Sequence, residues 1–421
     1  MIGKTGWLLG RLFHQIWVRA VSFALLGVAA ALAGIFLGPL VPDALGTRSG
    51  AGSVDQILTI LASSMLAVVT FSLSVAVQAF AAAANTATPR ATKLLQEDHT
   101  TQNVLATFVG AFLFSLVGII ALNTGLYGEK GRVVLFAATL IVVALVVIAL
   151  LRWIDHLMRF GRMGDTLNRV EKATTDALKV RRRTPCLGGH PLLDAMPEDA
   201  IKVCSEEIGY VQHVDIEALS ECAEDLGAEI WLAALPGTFV HPAEPLLGIS
   251  EAVPSDEDAG RLRRAFTVEA ERTFEQDPRF GLIVLSEIAS RALSPAVNDP
   301  GTAIDVLGRL VRILSEWNRP ADPEPTYMRL HVPPVRPAEM LEDAFQPIAR
   351  DGASLVEVQV RLQKALTALA GIVPDEFSDA ASAMSAEALD RACAALESDG
   401  DKARVAAVPA SACGSSRTIP S

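Results

Sequence analysis

Residues 56–89 form a run without a single charged side chain, bounded by Asp55 and Arg90. It exceeds the roughly 20 apolar residues that an α-helix needs to cross a bilayer. Within it Ser63, Thr70, Ser74, Gln78 and Asn85 recur at steps of seven, four, four and seven, which places them on one side of a helix. Leu61, Leu66, Val68, Val69, Leu73 and Val77 occupy the rest. Hydrocarbon cannot satisfy amides and hydroxyls, so this stripe is expected to face protein or water.

Three further uncharged runs, 20–42, 100–128 and 133–151, extend the pattern. The reading is a membrane protein with four transmembrane α-helices, at about 20–42, 56–84, 101–123 and 133–152. An amphipathic segment, 1–19, precedes them. The first run is too long for a secretory signal and is read as a retained helix, with Gly27, Ala31, Gly34 and Gly38 suited to close packing or simply common in such helices. Pro89 is expected to end or kink the second span.

Charge divides the chain. Residues 1–170 carry a net charge of +5 and the remainder −17, against −12 overall. Basic residues gather on one flank of the spans (Lys4, Arg11, Arg19, Arg90, Lys93, Arg152, Arg159, Arg162, Arg169, Lys172), with Arg48, Lys130 and Arg132 on the other. By the positive-inside rule both termini are cytoplasmic, in the inner (plasma) membrane. The acidic remainder excludes a nucleic-acid partner. Five cysteines without a Cys-x-x-Cys pair imply neither a zinc site nor a disulfide framework, and no cofactor is indicated.

The C-terminal half reads as a linking helix, 153–183, a cytosolic α/β (α+β) domain, 198–373, and an Ala/Ser-rich, largely disordered tail, 374–421, with a weak helix near 387–397. Arg181, Arg182 and Arg183 close the linking helix as a solvated end or a contact for anionic lipid. Strands are expected at 201–204, 210–214 and 229–235, and a helix at 216–226 capped by Asp215. His213 and His241 read as strand or surface histidines. Between helices expected at 280–293 and 300–317 lies Arg291-Ala-Leu-Ser294-Pro-Ala-Val-Asn298-Asp299-Pro-Gly-Thr302-Ala303. Asp299 before Pro300 fits a helix cap. The alternative is that N–H groups there, with Arg291, hold an anion or a partner's carboxylate. Arg272, with Glu271, Thr273, Gln276 and Asp277, adds polar groups able to form a network with this loop.

These stretches together resemble the bacterial membrane-protein family DUF2254. The resemblance rests on Thr88-Pro89-Arg90, Gly209-Tyr210-Val211-Gln212 with Asp215, Pro236-Gly237-Thr238-Phe239-Val240, Glu271-Arg272-Thr273 with Gln276-Asp277, and above all Arg291 to Ala303, in order over residues 15–370. The family pattern more often has serine at 88 and a bulky residue at 301. It implies a multi-pass inner-membrane protein, and no activity, cofactor or catalytic residue comes with it.

Three function classes follow. The first is an oligomeric channel or transporter in which the Ser63-to-Asn85 face lines a path for a small ion or anionic ligand and the cytosolic domain regulates it. The second is a membrane-anchored signalling or scaffold protein. An enzyme is third, because nucleophile-elbow, phosphate-loop and metalloprotease motifs are all missing from the sequence.

Overall fold

A computed structural model describes residues 53–413 except 87, 97, 125–128, 159–161, 251–252 and 319–323, together with isolated positions between 18 and 32. The amphipathic segment 1–19 and the expected first span, 20–42, lie outside these residues but for those positions. The chain divides into two compact units, 8–166 and 167–421.

The first unit contains α1 (Val54–Thr86), the short α2 (Pro89–Gln96), α3 (His99–Asn123) and α4 (Glu129–Leu157). Three segments are long and apolar enough to cross a membrane: Val54–Ala82, Thr100–Asn123 and Gly131–Leu157. Helix α3 packs against both α1 and α4. Leu61 and Met65 meet Val104, Phe108, Val146 and Trp153 in one cluster, and Leu58, Phe114 and Leu135 in another. Gly118 allows the close approach, since a Cβ there would lie 3.0 Å from Leu58 Cδ1. Pro89 starts a helix as much as it ends one. Thr88 Oγ1 accepts the Ala91 N–H at 3.3 Å, so Pro89 occupies the first helical position, where it has no N–H to lose.

In the second unit, α5 (Met163–Arg183) is a helix of its own. The linking segment expected at 153–183 thus takes in the end of α4, which closes at Leu157, and the separate helix α5. Next come β1 (Gly189–Pro191), β2 (Ile201–Cys204), β3 (Gly209–Val214), α6 (Ile216–Leu226), β4 (Ile230–Leu232), β5 (Phe239–Val240), β6 (Pro245–Ile249), α7 (Asp256–Arg264) and β7 (Phe266–Glu269). Asp215 accepts the Ala218 N–H and caps α6 as expected, and Gly227, with φ 62, closes it in the left-handed conformation. The five-stranded sheet runs β1-β8-β4-β6-β2, with β8 (Tyr327–Val332) inserted parallel between β1 and β4. A second, antiparallel sheet runs β5-β3-β7.

Helices α8 (Phe280–Ala292), α9 (Pro300–Ser315), α10 (Pro337–Asp351), α11 (Val356–Ile372), α12 (Pro374–Ala395) and α13 (Asp399–Cys413) complete the unit. The last two correct the expectation of a largely disordered tail. Phe377, Ala381, Met384, Ala388 and Ala392 are buried at helical spacing, and α12 packs on α10 and α11. Alanine and serine made this stretch look unable to build a core, yet alanine is the best helix former and its small side chain permits close helix contact.

Candidate functional site

On α1 the packed face consists of Val54, Leu58, Leu61, Met65, Ser72 and Ala76. Ser63, Thr70, Ser74 and Gln78 are exposed on the opposite side, flanked by exposed Leu66, Leu73 and Val77. Asn85 belongs to the helix, but its side chain lies outside the described residues. The four described members thus do not join α1 to α3 or α4.

Their hydrogen-bonding demand is smaller than their number suggests. Ser63 Oγ donates to the Thr59 carbonyl at 2.9 Å, and Thr70 Oγ1 to the carbonyls of Ala67 and Leu66 at 2.9 and 3.1 Å. A hydroxyl that bonds back to its own helix can face hydrocarbon. Gln78 differs. Its Nε2 donates to Ser74 Oγ at 3.2 Å, which occupies one N–H and leaves the amide carbonyl and the second N–H to seek partners. Among the four described members, the demand for protein or water centres on Gln78.

The second unit holds a buried charged cluster that unites four separate sequence segments. Asp277, 3% exposed, pairs with Arg272 at 2.7 Å and accepts the backbone N–H groups of Arg279 and Phe280, each at 3.1 Å. The Arg272 guanidinium also lies over the Phe280 ring, 5.3 Å from its centre. Gly237, at φ 94, turns the chain so closely past this pair that a Cβ would collide with the Asp277 carboxylate. Gln276 Oε1 accepts the Val214 N–H at 3.0 Å, and Gln212 Nε2 donates to the Glu271 carbonyl at 2.6 Å.

Arg181, 4% exposed, donates from Nη2 to the Gln276 carbonyl at 2.9 Å. Burial lowers its pKa to about 10, with Asp277 acting in the other direction. Burial likewise pushes the Asp277 carboxyl up, against the pull of Arg272 and the two backbone N–H groups. The arginine run that closes α5 is consequently not a free solvated end: Arg181 is buried here, and Arg182 donates to the Glu316 carbonyl at 2.9 Å. Sequence reading missed Arg181 as a member of this cluster, since its partner lies 95 residues away.

The 291–303 segment forms a turn braced by hydrogen bonds of its own. Ser294 Oγ donates to the Arg291 carbonyl, Asn298 stands at φ 50, and the Asp299 N–H bonds to the Ala292 carbonyl. Asparagine tolerates that left-handed conformation. Asp299 accepts both the Thr302 N–H, at 3.1 Å, and the Thr302 hydroxyl, at 2.6 Å. These bonds hold its carboxyl below the ordinary aspartate range. The geometry is that of the cap, with the donors at the start of α9 already engaged. Arg272 pairs with Asp277, the Gln276 carbonyl and side chain bond to α5 and β3, and Asp277 accepts from the start of α8.

Apolar helices long enough to span a bilayer, followed by a mixed helical and sheet region, define a membrane protein with a substantial C-terminal domain. The chain belongs to the family described as predicted membrane protein (DUF2254), whose model matches residues 14–368. It is similar to the uncharacterised proteins Rv1290c of Mycobacterium tuberculosis and Mb1321c of Mycobacterium bovis. Each is 26% identical over 340 residues, covering 75% of this chain. The chain spans 63% of the length of these curated relatives. No solved structure matches it.

Proposed function

We propose that this protein is an oligomeric channel or transporter of the inner membrane, with four spans and with both termini and the C-terminal domain in the cytoplasm. The observation that carries this reading is the outward display of Ser74 and Gln78, opposite the face by which α1 packs in its own bundle. An amide in that position is matched by the same face of a second copy or by water in a path between copies. The positive flank bias supports the orientation. In reconstituted protein, Gln78→Leu is expected to change ion flux while assembly persists; unchanged flux with intact assembly rejects the path.

A second reading, a membrane-anchored signalling or scaffold protein, is favoured by one observation. Three of the family's motif segments meet at Asp277, in the domain outside the spans. In that case Gln78→Leu is silent, and substitutions around Asp277 remove function.

A further inference from the structure

Where α5 ends, two guanidinium groups share one carboxylate. Asp277 Oδ2 lies 2.7 Å from both Nε and Nη2 of Arg272, and Oδ1 accepts the N–H groups of Arg279 and Phe280. An ionised carboxylate offers about four lone-pair sites, so Asp277 has no capacity left for a second guanidinium. Arg181 is that second group. It donates from Nη2 to the carbonyl of Gln276, the neighbour of Asp277 in the chain. The other donors of its fork meet no acceptor among the described residues, although the side chain is 4% exposed. Burial lowers its pKa only to about 10, so it keeps its charge at pH 7.

Other carboxylates do not make up the difference. Glu339 and Asp343 are paired with Arg279, and Glu316 with Lys179. Glu271 and Glu275 are exposed. Arg272 also keeps part of its fork in reserve: it turns Nε and Nη2 to Asp277 and its plane to the Phe280 ring, and Nη1 meets no acceptor among the described residues. Its side chain is 20% exposed, so the cluster reaches solvent on this side. The next residue, Thr273, has its Oγ1 buried without a hydrogen-bond partner among the described residues.

We infer that Arg181 and Arg272 hold a small oxyanion, a carboxylate or a phosphate group, beside Asp277, and that this anion ties the end of α5 to the segment leading into α8. Two guanidinium groups against one carboxylate leave one positive charge, which a singly charged oxyanion cancels. A buried charge is costly until it is paired, and the planar fork of arginine matches the oxygens of either anion. The Thr273 hydroxyl adds a donor in the same segment. The frame is already rigid, because Gln276 and Gln212 fasten this segment to β3.

The test uses the full chain in detergent at pH 7, at an ionic strength held constant with sodium chloride. The thermal unfolding midpoint is followed as inorganic phosphate or acetate is added. An anion that binds the folded state is expected to raise the wild-type midpoint progressively, following the binding isotherm. A rise with phosphate alone assigns a phosphate group, and one with acetate alone a carboxylate. Arg181→Gln keeps a donor for the Gln276 carbonyl but removes the charge, and is expected to lose the response. Asp277→Asn removes a like-charged neighbour of the anion, and is expected to respond at concentrations about tenfold lower. A wild-type midpoint indifferent to both anions overturns the site, as does an undiminished response in folded Arg181→Gln. Should that variant fail to fold, Asp277→Asn decides, and a response no stronger than the wild type's overturns the site. The measurement involves no flux, so this site and the channel reading stand or fall separately.

Discussion

The two units satisfy their polar groups in opposite ways. In the first, hydroxyls in the spans bond to carbonyls three or four residues back: Ser63 to Thr59, Thr70 to Leu66, Ser115 to Ala111, Thr139 to Leu135. In the second, charged side chains reach across the fold. Arg309 binds Asn168 and Glu171 at 2.7 and 2.6 Å, across 141 and 138 residues, and Arg181 meets Gln276 across 95. Burial of a charge is costly unless it is paired and hydrogen-bonded, and one short helix segment cannot supply such partners. The first unit thus solves its polar problem locally and the second does so by tertiary contact. The His156–Asp98 pair, with Nε2 3.0 Å from Oδ2, is an instance of the second solution inside the first unit.

That contrast breaks most visibly at Asp277. Asp277→Ala removes the carboxylate from between Arg272 and Arg181, and is expected to destabilise the C-terminal unit by about 3–5 kcal/mol in chemical unfolding, the usual result of stranding a buried charge. A loss below about 1 kcal/mol would put the cluster in the same class as the span hydroxyls. Phe377→Ala is expected to cost a comparable ~3–5 kcal/mol, because its ring is fully buried at the start of α12. Protection of α12 from limited proteolysis, lost in this variant, would check that the Ala-rich helix belongs to the folded unit.

Glu171 sharpens the comparison through pH. Burial raises its carboxyl pKa, but the hydrogen bonds and charges of Arg312 and Arg309 outweigh burial and hold it below the ordinary value of 4.5. A depressed folded-state pKa contributes stability above the unfolded value and loses it as the pH falls through the folded one. Glu171→Gln is therefore expected to weaken the protein at pH 7 by a margin that shrinks below about pH 4.5, read from denaturation at both pH values. The local cap comes next: Asp299→Ala is expected to cost about 1 kcal/mol, again only above the aspartate range. Smallest of all, Ser63→Ala is expected to stay within about 0.5 kcal/mol, since among the described residues the hydroxyl it removes bonds only to its own helix.

How much could be read from residues alone follows the same division. The helices at 54–86, 99–123 and 129–157, the Asp215 and Asp299 caps and the side of α1 that carries the polar stripe were legible, because each depends on neighbours within a few positions. The meaning of that stripe was only partly so. Periodicity placed Ser63 and Thr70 beside Gln78, yet back-bonding removes their need for a partner and leaves the amide as the group with unmet demand. The parallel insertion of β8 between β1 and β4, and the folding of the Ala-rich C-terminal stretch onto α10 and α11, had no local signal.

For this protein, then, sequence by itself determined where apolar runs long enough to enter a bilayer lie, which family the chain resembles and where single helices begin. Those properties arise from backbone bonds and side-chain periodicity within one segment. Only the tertiary structure decided that Arg181, Gly237, Arg272 and Asp277 share one buried site, and that Asp98 meets His156. A charge withdrawn from water must find its partner wherever the chain returns to it, and that place is set by packing across scores of residues, not by spacing along them.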